Sequence, residues 1–120
     1  MANLLSLATK ALRIYDMGDS DYLTKKAFHA AARSELKKLA KSLNIPAKVH
    51  SNLAGDAVLG ESILHSDKLY IQIMHMNGEI TVLYRSCNGL KDFTGGPNQY
   101  MRLESFLDPS TAIEVFNKFR

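Results

Sequence analysis

The sequence predicts an α+β domain in which an antiparallel meander of three to four strands packs on one face against helices. Two stretches before residue 45 carry apolar residues at the helical spacing of three and four, whereas from Lys48 onward apolar and polar residues alternate. An Asn-Gly pair at 77–78 separates two alternating stretches, which is typical of a tight hairpin. The predicted element order is α-α-β-β-β-α, and a fourth strand at 47–53 is left open.

Two N-terminal helices follow from the positions of the apolar residues. Residues 3–14 carry an apolar stripe, and residues 23–44 carry a longer seam in a segment rich in alanine, leucine and lysine, which favour helix. Asn44 and Pro46 end the second helix, because a proline holds the residue before it in extended geometry. A last helix is predicted near the C-terminus, over residues 110–119.

The alternating stretches that flank Asn77-Gly78 also predict a register. Asparagine and glycine tolerate the positive φ that a two-residue turn requires at both central positions. Such a turn sets Ile73 opposite Val82 on one face of the hairpin, and Tyr70 opposite Arg85 on the other. The register therefore assigns each side chain of this hairpin to one face of the sheet.

An earlier hairpin is predicted from the segment KVHSNLAGDAVLGESILHS and the strand that follows it. Ser66-Asp67 is the expected turn, and it would set Leu64 opposite Leu69. Gly55 and Gly60 interrupt the first part of this segment and indicate a bulge or a bend, since glycine weakens a strand interior.

Length and composition fit a single domain spanning residues 1–120. The net charge of +3 is mildly basic, which permits nucleic-acid binding without demanding it. No window approaches 18 apolar residues, so no membrane contact is expected. The N-terminal residues lack the basic start of a signal peptide, and Cys87, as the sole cysteine, forms no intrachain disulfide. Both observations suit a cytoplasmic location.

The residues that could carry chemistry form no known catalytic pattern. The four histidines, at 29, 50, 65 and 75, have no metal-ligand spacing, so we expect surface or half-buried side chains and neither a metal nor a cofactor. Cys87 is expected to be a small buried hydrophobe. The chain has no nucleophile elbow, Walker lysine or dinucleotide fingerprint. An enzyme is therefore the less favoured class, and no residue is assigned a catalytic role.

A row of basic residues follows the second predicted helix at spacings of 3, 4, 4 and 4. At about 100° per residue these side chains occupy one face beside the apolar seam. The row either keeps an alanine-rich helix soluble or contacts phosphates or an acidic protein surface. It consists of Lys26, His29, Arg33, Lys37 and Lys41, of which the lysines and the arginine are the predicted contact residues.

The segment 85–102 is the second candidate surface. Its glycines allow unusual backbone shapes, and its charged, amide and aromatic side chains suit recognition, because long loops are often functional. The other interpretation is a surface crossover that its aromatic residues attach to the core. The candidate contact residues are Arg85, Lys91, Asp92, Phe93, Asn98 and Tyr100.

Residues 84–98 also resemble a known pattern. They follow the form YR-C-G--D-TGG-N, which is similar to small accessory domains carried by phages, plasmids and large polyvalent proteins of mobile elements; residues 55–73 resemble the strands that precede it. The likeness covers about residues 48–100. It implies an intracellular accessory role, such as protection of a mobile element from host defence, and it transfers no catalytic residue.

Two classes of function remain. The first is a non-enzymatic intracellular binding protein that binds or inhibits a nucleic acid or a host nucleic-acid-handling protein. The alternative is a small enzyme or nucleotide-binding protein that uses the 85–102 loop. A closed pocket formed by Arg85, Cys87, Asp92 and Asn98 would favour the alternative, and a spread over a flat surface would favour the first class. Homo-oligomerisation is left open.

Overall fold

A computed structural model describes residues 4–16, 22–53, 59–76, 78–89 and 96–119. The helices are α1 (Leu4–Asp16), α2 (Tyr22–Leu43), α3 (Leu103–Leu107) and α4 (Pro109–Phe116), and a single 3-10 turn, Asn117–Phe119, follows α4. The strands are β1 (Lys48–Asn52), β2 (Glu61–His65), β3 (Leu69–Met76), β4 (Glu79–Ser86) and β5 (Gln99–Arg102).

The five strands form an antiparallel meander in the order β1-β2-β3-β4-β5. In the β3–β4 hairpin, Ile73 pairs with Val82 and Tyr70 pairs with Arg85, so the predicted register is confirmed. Gly78 has φ +79°, as the turn requires. Asn77, the other predicted turn residue, lies outside the described residues.

The predicted register of the preceding hairpin is wrong by two residues, because Leu64 pairs with Ile71 and not with Leu69. The Ser66 amide donates to the Leu69 carbonyl at 2.8 Å, and the Ser66 hydroxyl accepts from the Leu69 amide at 2.9 Å. Ser66 is thus the last paired residue, and Asp67-Lys68 forms the turn. A shift of two keeps every side chain on its predicted face.

The α+β class is as predicted, but the numbers of strands and helices differ. The strand left open at 47–53 exists as β1, and β5 lies inside the segment that was predicted to be a loop, since four residues are too few for a visible alternation. α3 was not predicted either, because five residues are too few to show a helical period. It stops at Asp108, whose extended backbone (ψ 112°) is the geometry that the following Pro109 imposes.

α2 ends as its sequence requires. Asn44 adopts φ 55°, the left-handed conformation that asparagine tolerates at a helix C-terminus. The Asn44 amide donates to the Lys41 carbonyl, and the Ile45 amide donates to the Ala40 carbonyl, both at 3.1 Å. This pair of bonds is a Schellman motif, and it turns the chain from α2 directly into β1.

The described helices cover one face of the sheet, and the main core lies between the two layers. Tyr84 of β4 packs edge-on against Phe116 of α4, with ring centroids 5.1 Å apart. α2 crosses β1 and β2. The opposite face, called here the outer face, carries a smaller cluster of Ile63, Tyr70 and Leu83. No helix in the described ranges is long and apolar enough to span a membrane.

Candidate functional site

A chain of polar contacts lies where α2 crosses β1 and β2. His29 is 0% exposed, although the sequence predicted a surface or half-buried side chain. Its Nδ1 is 2.7 Å from the Ser62 hydroxyl, and its Nε2 is 2.6 Å from the Leu59 carbonyl oxygen. Because a carbonyl only accepts, Nε2 must carry the proton. Nδ1 of a neutral ring then accepts from Ser62.

The contacts continue outward to Arg33. The Ser62 hydroxyl is 2.8 Å from the Ser51 hydroxyl, and Arg33 donates to the Ser51 hydroxyl at 2.6 Å. Since Ser62 gives its proton to His29, it accepts from Ser51. The donors therefore all point one way, from Arg33 through Ser51, Ser62 and His29 to the Leu59 carbonyl. We call this arrangement the polar chain.

The electrostatics of the site favour a neutral His29. Burial lowers its pKa below the ordinary value of 6.5, the hydrogen bond to the Leu59 carbonyl raises it, and the charges of Arg33 and Lys25 lower it further. The net pKa is lowered. A neutral ring is also the form that accepts from Ser62, so the titration and the hydrogen bonds agree.

Ser62 and His29 have the geometry of a nucleophile and its base, but they are closed to substrates. Both side chains are 0% exposed. A reacting group would have to reach the serine hydroxyl directly. The polar chain therefore anchors α2 to β1 and β2 and satisfies buried polar groups, rather than supplying a catalytic pair.

The basic row that the sequence predicted is divided by the polar chain. Lys26, Lys37 and Lys41 are exposed on α2, whereas His29 is buried and Arg33 is half-buried against Ser51. The apolar seam is wider than the spacing alone suggested, so residues at its border turn inward. Whether the exposed lysines bind a partner stays a prediction.

The remaining exposed lysines of the row lie on one face of α2. They are Lys26, Lys37 and Lys41, whereas Lys48, at the start of β1, alternates onto the outer face of the sheet, away from α2. Glu35 is the sole acidic residue in α2, and it pairs with Lys38 at 3.3 Å. β1 contains no acidic residue. Lys26, Lys37 and Lys41 are called the basic face below.

The segment 85–102 is divided between buried and exposed residues. Arg85 is 6% exposed, with its guanidinium 4.2 Å from the centre of the Tyr70 ring. Asn98 and Tyr100 are exposed, and Tyr100 pairs with Leu83 across β4 and β5. Three other predicted contact residues, Lys91, Asp92 and Phe93, lie outside the described residues.

Cys87 is buried, as predicted, and its thiol donates to the Ser66 carbonyl at 3.2 Å. Arg85 and Cys87 are thus engaged in separate buried contacts, while Asn98 faces solvent. The pocket that the enzyme alternative requires is therefore not formed by its described members, Arg85, Cys87 and Asn98. The fourth residue of that set, Asp92, lies outside the described residues. Within the described ranges, no group of three or more potential ligands could hold a metal ion.

The serines and the carbonyl of the polar chain were not predicted from the sequence. Ser51 and Ser62 have no distinguishing spacing, because their hydroxyls meet only through the β1–β2 pairing. One signal was available. Arg33 follows His29 by four residues, which places both side chains at the same border of the apolar seam.

Comparisons with known proteins add no family. No protein-family model matches the chain, and neither curated proteins nor solved structures give a match. The resemblance of residues 84–98 to accessory domains of mobile elements therefore stays a prediction.

Proposed function

We propose that the protein is a non-enzymatic nucleic-acid-binding protein and that the basic face contacts the phosphate backbone. The observation that carries the proposal is the set of three exposed lysines on one face of α2, a helix whose one acidic side chain is paired with Lys38. A contact to a phosphate requires only a positively charged side chain that is long enough to reach it, without a particular side-chain geometry.

The dimensions of the face suit a nucleic-acid strand. At a rise of about 1.5 Å per residue, Lys26 and Lys37 are about 16 Å apart along α2, and Lys41 lies about 6 Å further on. A strand of duplex DNA carries one phosphate about every 3.4 Å along its axis, so the row can meet several phosphates. The exposed residues between Lys26 and Lys37 are small, Ala27, Ala30 and Ser34, and they allow a close approach.

The composition of the face favours a nucleic acid over an acidic protein. Protein interfaces are depleted in lysine and have apolar or aromatic centres. The exposed surface of α2 instead carries lysines and small side chains, with Leu23 as an exposed large apolar residue near one end. Binding through such a surface is mainly electrostatic.

A role as an accessory factor of a phage or another mobile element is the finer part of the proposal. Its support is the resemblance of residues 84–98, which implies an intracellular protein that acts near nucleic acids or on host defence. The enzyme alternative has less support, because Ser62 and His29 are closed to substrates and Arg85 and Cys87 are buried.

The test measures binding of a fluorescein-labelled 20-base-pair duplex by anisotropy between 50 and 300 mM salt. Three phosphate contacts predict a slope of about −2.7 for log K against log salt. Reversing two charges, Lys37→Glu with Lys41→Glu, should reduce affinity at least about ten-fold and make the slope shallower by about two. The matched control, Lys68→Glu with Lys118→Glu, changes the net charge equally outside the basic face.

An equal loss in the control variant would show that net charge, and not the basic face, governs binding. Absence of binding to the duplex, to single-stranded DNA and to RNA at 50 mM salt would refute the proposed function. A parallel measurement with poly-glutamate would then reveal an acidic protein surface as the partner. Thermal melts of each variant ensure that folded proteins are compared.

A further inference from the structure

We propose that the polar chain makes nucleic-acid binding sensitive to pH: when His29 takes up a proton, Arg33 leaves Ser51 and joins the lysines of the basic face. The inference rests on the proposed function, since it concerns the regulation of the same surface. It goes beyond that function by assigning a control element to His29 and Ser62, which are buried beneath the basic face.

The first step is a reversal of the hydrogen bonds. A protonated His29 has no acceptor nitrogen, so Nδ1 must donate to the Ser62 hydroxyl. Ser62 then has to donate to Ser51, which already accepts from Arg33. Ser51 then accepts from both Ser62 and Arg33, which its two lone pairs allow, and its own proton turns away from Ser62. The reversal rearranges the hydroxyl that Arg33 contacts, and the release of Arg33 follows from the added charge.

The second step is charge repulsion. Protonated His29 and Arg33 are four residues apart on α2, a spacing at which like charges repel, and Lys25 adds to the positive field. On β2, Glu61 and His65 alternate onto the outer face, away from the side of Ser62, and on β1 Lys48 and His50 alternate away from Ser51. Among the described side chains of these two strands, no carboxylate shares that side of the sheet.

The other two elements packed on α2 do not offset this charge. The described charged side chains of α1, Lys10 and Arg13, are exposed, and so is Glu114 of α4. Arg33 is half-buried and borders Lys37 on the helix surface, so its side chain needs only a change of rotamer to reach solvent. Once there, it completes the row at positions 26, 33, 37 and 41.

The range of pH follows from the environment of the ring. Burial lowers the pKa of His29 below 6.5. Proton uptake by the folded protein therefore requires a lower pH than an exposed histidine needs. The basic face should carry three exposed cations on α2 at neutral pH and four when His29 is protonated.

The experiment compares binding of the labelled duplex at pH 7.5 and 5.5 in 100 mM salt. The wild type should bind about five-fold more tightly at pH 5.5, with a salt slope steeper by about 0.9 for one added phosphate contact. His29→Gln should lose this response. Ser51→Ala, which releases Arg33, should bind at pH 7.5 as the wild type does at pH 5.5. His50→Gln, which removes an exposed imidazole of β1, should keep the wild-type response.

A response that persists in both His29→Gln and Ser51→Ala, or that disappears in His50→Gln alone, would overturn the proposal. NMR of the Arg33 guanidinium provides a measurement independent of nucleic acid: its protons should exchange faster with solvent as His29 titrates. If the wild type binds no nucleic acid at either pH, the proposed function fails. The Arg33 signal then still decides whether the polar chain opens, and an unchanged signal refutes the release.

Discussion

Gly60 lies so close to Asn52 that a β-carbon at position 60 would be 2.5 Å from the Asn52 carbonyl oxygen. The same carbon would be 3.1 Å from Nε2 of His29, the atom that donates to the Leu59 carbonyl. The residue also has φ +78°, which side-chain-bearing residues rarely adopt. The backbone therefore presents the Leu59 carbonyl to His29 because residue 60 has no side chain.

The first prediction compares Gly60→Ala with Gly78→Ala. The two glycines have nearly equal φ, +78° and +79°, but a β-carbon at position 78 would have nothing within 4 Å. We expect Gly78→Ala to cost about 1 kcal/mol for the φ penalty alone. Gly60→Ala should cost at least about 3 kcal/mol, because a steric clash with backbone is added. Urea unfolding of both variants measures the difference. Equal costs would contradict the close packing around Gly60.

The second prediction concerns stability against pH. The pKa of His29 is lowered in the folded protein, so the unfolded chain takes up a proton first as pH falls below about 6.5. Stability is therefore fully present above about pH 6.5. It should decline below that pH by at most about 1.4 kcal/mol per pH unit until the folded protein is protonated as well. Urea unfolding at half-unit steps from pH 7.5 to 5.0 measures this decline.

The control for the pH effect is His29→Gln, which has no titrating ring. It should be less stable than the wild type at pH 7.5, because one of two buried hydrogen bonds is lost, and its stability should vary less with pH. A wild-type profile that His29→Gln reproduces would assign the pH effect to other groups, such as the carboxylates.

The third prediction separates two contacts of Tyr70. Its hydroxyl donates to Gln72 at 2.8 Å, and the guanidinium of Arg85 stacks over its ring. Tyr70→Phe should cost about 1 kcal/mol for the hydrogen bond. Tyr70→Leu should cost at least about 2 kcal/mol, since the cation–π contact and the ring's packing are lost too. A double-mutant cycle with Arg85→Ala should give a coupling of about 1 kcal/mol; a coupling near zero would show that the stacking adds nothing.

Much of the fold could be predicted because it depends on local patterns. The long seam of α2 and the Asn-Gly turn each determine their element from a few adjacent residues, and the β3–β4 register then follows from counting. β5 and α3 could not be predicted, because four and five residues are too few to show a period. The β2–β3 register was predicted wrongly because it depends on whether Ser66 lies in the turn or is paired. In the structure Ser66 is paired with Leu69, and its hydroxyl accepts from the Leu69 amide.

The candidate site was harder to predict, because it depends on contacts between distant residues. His29 and Ser62 are 33 residues apart, and Arg33 and Ser51 are 18 apart, so their hydrogen bonds exist only after α2 has packed on the sheet. The basic row was visible as spacing. The position of the sheet decides which members of the row turn inward. That position cannot be read from residue spacing.

The last prediction concerns the two roles that the sequence left open for the segment 85–102. Arg85 is buried against Tyr70, whereas Asn98 is exposed and Tyr100 is 48% exposed. Arg85→Ala should therefore destabilise the fold by about 2 kcal/mol or more, because packing and a stacked cation are lost together. Asn98→Ala should change stability by less than about 0.5 kcal/mol, and Tyr100→Ala should cost less than Arg85→Ala.

Urea unfolding of the three variants, with Arg85→Lys as a conservative control, tests this division. Arg85→Lys should recover part of the loss, since lysine keeps the charge and the aliphatic stem but not the planar group over the ring. If the order holds, Arg85 is a structural residue, and Asn98 and Tyr100 are the described members of the predicted contact set that remain available to a partner. A large loss of stability in Asn98→Ala would instead make that amide a turn-stabilising group. The contact surface would then be confined to the basic face.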